Sequence, residues 1–262
     1  MRKEPIVIYI MLVLCACSSS PAKTASTAPG KAVPHLNHWV TLPEPGHLTI
    51  IGISARQSTR ESEIAIAQED AAKKISMFHG VTVAAEAVHS IGAGFLDYYV
   101  DSNADLDYDR DLEKYIEKLS YDPERDIMSN DGVIYVRFTY PAVFPGAINY
   151  SPGKKRPDGS PEWTTRPPSN MGDFFVGVGH SGKRQRLRDG ILNSYEYAAA
   201  AVAAQISTSV ESSHVIDSAT YRNDTLITRK SAGELRYFTV IEIWINPDNG
   251  EVWTLAVAKN AE

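Results

Sequence analysis

Pro161-Glu162-Trp163-Thr164-Thr165-Arg166-Pro167, the run Phe174-Phe175-Val176-Gly177-Val178-Gly179, and the stretch Tyr195-Glu196-Tyr197-Ala198-Ala199-Ala200-Ala201-Val202 decide the fold, because their order occurs twice in the chain. In the first half, Trp39-Val40-Thr41-Leu42-Pro43 answers the tryptophan-proline segment, and Leu48 to Ile53 answers the apolar run. Both runs then reach a glycine turn leading to a helix, at Gly52 and at Gly177 with Gly179. Each then enters a long alanine-rich stretch, where Ile64, Ala67, Ala71, Ile75 and Phe78, or Leu187, Ile191, Tyr195, Ala198 and Val202, fall on one helical face. Ser58-Thr59-Arg60-Glu61 reads as a capping box at the start of the first helix.

Alternating runs follow the helices, Gly80 to Ala84 and Ser207 to Glu211, and then β-rich segments: Val133 to Tyr140, Leu235 to Ile245, and Val252 to Ala258. Asn246-Pro247-Asp248-Asn249-Gly250 supplies a hairpin loop between the last two. An acidic insertion, Asp97 to Asp131, is expected to carry a helix near Leu106 to Leu119. The expected fold class is α+β: two tandem copies of a small strand-helix-antiparallel sheet domain.

Other segments set the boundaries. Arg2 and Lys3, the apolar run Ile6 to Leu14 and the motif Leu14-Cys15-Ala16-Cys17 have the layout of a secretory signal. The run is too short to span a bilayer, which takes roughly 20 apolar residues. Leucine three before a cysteine, with a small residue directly before it, resembles the bacterial lipobox. The resemblance implies cleavage after Ala16, diacylglycerol on Cys17 and stable anchoring by acyl chains. Ser18 after the cysteine favours the outer membrane over the inner one.

The expected organisation is then a signal peptide over 1–16, a flexible Ser/Pro/Ala/Thr tether over 17–36, a first domain over 37–141, a Pro/Gly-rich linker over 142–160 and a second domain over 161–262. Cleavage leaves Cys17 as the only cysteine, so no intrachain disulfide can form. The net charge of −6, about −7 without the signal, argues against a nucleic-acid partner, which normally demands a basic face.

The order Trp-x-x-x-Pro, apolar strand, Gly-x-Gly, alanine-rich helix, Gln205-Ile206-Ser207-Thr208-Ser209-Val210 and a late pair of apolar strands resembles the Lpp-twenty-type bacterial lipoproteins. It is also similar to the opening domain of flagellar assembly protein T. The second half carries the pattern best; in the first, Ser54 replaces the second glycine and Phe78-His79 stands where Gln-Ile is expected. The resemblance implies a non-enzymatic envelope lipoprotein with envelope or flagellar protein partners and no cofactor.

Gly177-Val178-Gly179-His180-Ser181-Gly182-Lys183-Arg184 satisfies Gly-x-Gly-x-x-Gly and nearly satisfies the P-loop, motifs that hold phosphate on backbone N–H groups at a helix N-terminus. Arg184 stands where a hydroxyl must ligate Mg²⁺, and no alternating strand-helix series accompanies the motif, so no nucleotide is expected. The alternative kept open is a small anion or glycan held near 177–188, with Gly177, Gly179, Lys183 and Arg184 as candidate ligand-binding residues and Arg186 and Arg188 adding charge. A deep polar pocket there favours that reading; a filled, flat surface removes it.

The seven histidines are scattered, and Asp101, Asp105, Asp107, Asp109 and Asp111 lack the glycine and terminal glutamate of an EF-hand loop, so no metal site is expected. No nucleophile-base pair suggests catalysis.

Overall fold

The computed structural model describes residues 38–92, 95–97, 105–130, 132–168, 170–211 and 226–260. The signal motif, Ala16, Cys17 and the segment expected as a tether lie outside them. In chain order the elements are β1 (His38–Val40), β2 (His47–Ala55), α1 (Arg60–His79), β3 (Val81–Gly92), β4 (Phe95–Asp97), β5 (Asp105–Tyr108), α2 (Glu113–Ile116), β6 (Ile127–Asn130) and β7 (Val133–Pro141). A 3-10 turn at Glu162–Thr164 follows, then β8 (Asn170–Met171), β9 (Phe174–Ser181), α3 (Leu187–Glu211), β10 (Leu226–Ile245) and β11 (Val252–Asn260). The chain is α+β, with helices on antiparallel sheets.

The small sheet, in the order β2-β7-β6, belongs to the first half, and its residues alternate as a sheet covered on both faces requires. Leu48, Ile50, Ile134, Val136 and Phe138 face α1, where they meet Ala67, Ala71, Ile75 and Phe78. Ile51, Ile53, Val133 and Tyr135 contribute instead to a core shared with α3, β10 and β11.

The large sheet runs β4-β3-β10-β11-β9-β8, with β1 also beside β10 and β5 beside β3. It joins the two halves: β3 pairs with β10 from Val81↔Leu235 to Ser90↔Leu226, and β1 pairs with β10 at His38↔Trp244. Contacts group the described residues as one compact unit. The stretch 142–160 takes part in it, since Phe144, Ile148 and Tyr150 pack with buried Trp163, Phe174, Ile241 and Leu255 on the outer face of the large sheet. Its prolines cannot donate to a ladder, but its apolar side chains cover one.

The two long helices, α1 and α3, each lie very close to a strand at a glycine. A Cβ on Gly52 would lie 2.8 Å from Phe138 Cε2 and nearer still to Ala67 O. A Cβ on Gly177 would lie 2.5 Å from Val202 Cγ2, and one on Gly179 2.5 Å from Ala198 N, with Ser194 O closer. The glycines expected to form strand-to-helix turns are therefore strand residues, and their missing side chains let the helix backbones approach.

Other expectations shift by local chemistry. Thr59 is the N-cap of α1, its hydroxyl accepting from Ser62 N at 3.2 Å; the residue three beyond the cap is Ser62, so the reciprocal arm of a capping box is absent. Glu63 reaches back instead, to Gln57 N at 3.2 Å. The run Ser207 to Glu211, expected as extended, continues α3, and Ser207 satisfies its hydroxyl on Ala203 O at 3.0 Å, four residues back. Within Leu106 to Leu119, the expected helix contracts to α2, because Asp105 to Tyr108 pairs with β3. The 246–250 loop closes as expected, with Gly250 at φ +75° and its N–H donating to Asn246 O at 2.9 Å.

Candidate functional site

Three connections meet beside the first turn of α3. β2 ends at Ala55, and Arg56 N donates to Gly132 O at 2.9 Å, which fixes the β2 end against the turn before β7. β9 ends at Ser181, and 182–186 leads into α3. The β10–β11 hairpin supplies Ile245, Asn246, Pro247 and Gly250. Between them lies a cleft of about 670 Å³ whose lining includes Arg56, Lys183, Arg184, Arg186 and Arg188. Its floor includes Val133 and Ile245, both buried core residues.

The cations are arranged by their aliphatic stems. Lys183 Cγ lies 3.7 Å from where a Cβ of Gly250 would sit, and Arg184 Cγ is 3.7 Å from that of Gly190. Arg184 is held by neutral groups: its Nε donates to Ser181 Oγ at 3.5 Å, and the Asn193 amide oxygen, with the side chain turned to satisfy both ends, accepts from Nε and Nη2 at 3.2 Å. The Nε of Arg188 is buried without a hydrogen-bond partner.

Among the described residues Lys183, Arg184, Arg186 and Arg188 form no ion pair; Arg56 alone of the five does, with Glu63 at 3.4 Å. Among the described residues no aspartate or glutamate lines the cleft. Like charges held around one concavity, without carboxylates between them, raise the local anion concentration. The amides of the first turn of α3 add a partial positive charge from the same side.

The sequence candidates separate here. Lys183 and Arg184 line the cleft, as do Arg186 and Arg188. Gly177 and Gly179 pair with Ala256 and Thr254 inside the sheet and press on α3, so they take no part in the lining. Arg56, Gln57 and Gly132 come from the first half. In the register that sets Ser54 against Gly179, Ala55-Arg56-Gln57 answers His180-Ser181-Gly182, so the sequence places Arg56 two residues before the position of Lys183.

Elsewhere, Asp109 is paired with Lys114, whose hydrogen bond holds the carboxyl below its usual range. Asp101 lies outside the described residues, and among those described no group of three or more His, Cys, Asp or Glu side chains is placed to hold a metal ion. His180 stacks on Trp253 at 4.1 Å; burial lowers its pKa, and Glu251, 3.7 Å away, opposes that. Among the described residues no helix is long and apolar enough to cross a membrane.

The chain matches no family model, no curated protein and no solved structure.

Proposed function

We propose that this is a lipid-anchored protein of the bacterial envelope, held through Cys17 at the outer membrane, that binds an anionic ligand in the cleft bounded by Arg56 and 183–188. The observation that carries the reading is the set of four cations, Lys183, Arg184, Arg186 and Arg188, which among the described residues have no acidic partner and line a cleft with no carboxylate, in a chain of net charge −6. Cations crowded together repel one another, and an anion bound among them removes that repulsion. No nucleophile-base pair is proposed, and the function is binding rather than catalysis.

Service as an assembly component for envelope or flagellar proteins rests on the Lpp-twenty-type resemblance and the repeated order of elements. Among the described residues Val143 is the one large apolar side chain standing exposed, at 80%, so an apolar docking patch has less support than the cleft.

The test is calorimetric titration of the full chain with inorganic phosphate, sulfate and an anionic saccharide at low ionic strength. Binding that weakens about tenfold or more in Lys183→Gln/Arg186→Gln is expected. Absence of binding, or binding untouched by that double substitution, refutes the reading. For the anchor, Cys17→Ala is expected to move the chain from the membrane to the soluble fraction; unchanged membrane retention refutes lipidation at that residue.

A further inference from the structure

The cleft's composition says more about its occupant than its charge alone. We infer that it is built for a phosphate-bearing ligand with at least two negative charges, rather than for a carboxylate or a neutral glycan; this rests on the anion-binding reading above.

Three observations carry it. Four of the five cations are arginines, and beyond the Arg184 edge taken up by Asn193 their planar guanidinium groups offer paired N–H donors to an oxyanion. They come from two separate walls of the lining: Arg56 follows the end of β2, and 184–188 lie at the entrance to α3. A planar carboxylate presents two oxygens in one plane and is saturated by one or two forks. A terminal phosphate presents three oxygens directed outward in three dimensions, so it can accept from both walls at once.

Charge balance gives the second argument. Glu63 is shared between Arg56 at 3.4 Å and Arg60 at 3.0 Å, so among the described residues at least the four cations of 183–188 remain unbalanced, and a monoanion leaves most of their mutual repulsion in place. A phosphomonoester carries about −1.5 to −2 charges at neutral pH, and a diphosphate more. Third, among the described residues no aromatic ring lines the cleft to stack on a sugar face, and the volume of about 670 Å³ exceeds what a single small oxyanion fills. The remainder is floored by Val133, Leu187 and Ile245, apolar surface suited to the uncharged body of a phosphate ester.

The same phosphate chemistry is borne by a soluble ester or by a lipid headgroup, and the experiment separates them. The full chain carrying Cys17→Ala, so that the anchor adds no membrane affinity, is titrated with inorganic pyrophosphate, sulfate and succinate at one ionic strength. Binding of the same protein to neutral vesicles doped with phosphatidic acid or with phosphatidylserine is measured in parallel. Pyrophosphate binding about tenfold or more tighter than succinate and sulfate is expected. It should be lost in Lys183→Gln/Arg186→Gln, whose two side chains are exposed and whose replacement leaves the melting temperature in place, and kept in Arg125→Gln, a cation outside the cleft.

Selective binding to phosphatidic acid vesicles, displaced by pyrophosphate, assigns the ligand to a membrane headgroup; pyrophosphate binding without vesicle binding assigns it to a soluble ester. Equal affinity for succinate and pyrophosphate, with both sensitive to the double substitution, overturns the phosphate inference and leaves a general anion site. No anion binding sensitive to that substitution overturns both.

Discussion

Gly179→Ala tests the contact on which α3 sits. An alanine Cβ there would lie 2.5 Å from Ala198 N and closer to Ser194 O, both backbone atoms of a helix, so no side-chain rotation relieves the clash. Restoring an ordinary contact requires the helix to retreat by about 1 Å or more. That movement loosens Ser194 Oγ from Thr254 Oγ1, a buried hydrogen bond of 2.7 Å, and lifts fully buried Ala198 and Val202 from the sheet. Overpacking costs typically about 1–3 kcal/mol, and a buried hydrogen bond strained with it adds about 1 kcal/mol. The expected loss is therefore about 3 kcal/mol, which for a unit of this size lowers Tm by roughly 6–12 °C. Urea and thermal unfolding of the full chain measure it, with Gly182→Ala as the control, because a Cβ there meets nothing within 4 Å. A Gly179→Ala protein within about 0.5 kcal/mol of the parent would refute the close-packing account.

Four further outcomes are expected. Lys74 and Asp70 form a buried pair at 2.7 Å in which the Asp70 carboxylate also accepts from Ile53 N at 2.8 Å; Lys74→Met strands that carboxylate and should cost about 3–5 kcal/mol in urea unfolding, part of it regained in Asp70→Asn/Lys74→Met. Thr59→Ala should cost about 1 kcal/mol through the lost cap, and no change would show that Ser62 N is satisfied by water. Burial first, then Lys118 and Lys114, lower the pKa of His79 from 6.5, so the fold favours its neutral ring; that contribution is present above 6.5 and lost as pH falls through the folded value. His79→Gln should accordingly lose less stability than the parent between pH 7.5 and pH 5.5, and identical pH profiles would contradict the assignment. Glu242, almost fully buried, accepts from the Tyr150 hydroxyl and meets His38 Nε2 at 2.5 Å; Glu242→Leu should release β1 and speed hydrogen exchange at Thr41, whose N–H donates to Ile241 O at 2.9 Å.

Much of this architecture is written locally and is legible from the residues. The apolar faces of α1 and α3, the alternation along β2 and β7, and the Asn-Pro-Asp-Asn-Gly loop each follow from periodicities of a few residues. Non-local choices are not legible that way. Nothing in Val81 to Ser90 announces that its partner is Leu226 to Leu235, because pairing of strands distant in sequence is decided by what else is available in space. Ser207 to Glu211 alternates like a strand, yet it stays helical because a hydroxyl can satisfy itself on the preceding turn. At the site, Lys183, Arg184, Arg186 and Arg188 stand together in the sequence and are easily singled out. Arg56 joins them only through the fold, and Gly177 and Gly179 carry a phosphate-loop spacing that serves helix packing instead.

The pairing of β3 with β10 also sets a timetable. Val81 and Leu235 lie about 150 residues apart in the chain, so whether the chain emerges from a ribosome or from a secretion channel, the first half is present before its partner strand follows. During that interval β3 offers a row of unpaired N–H and C=O groups, an open template for a neighbouring copy. A product ending before Leu226 would contain every element of the first half and still leave that edge unfilled. Its expected fate is association through β3, whereas the complete chain closes the edge from within.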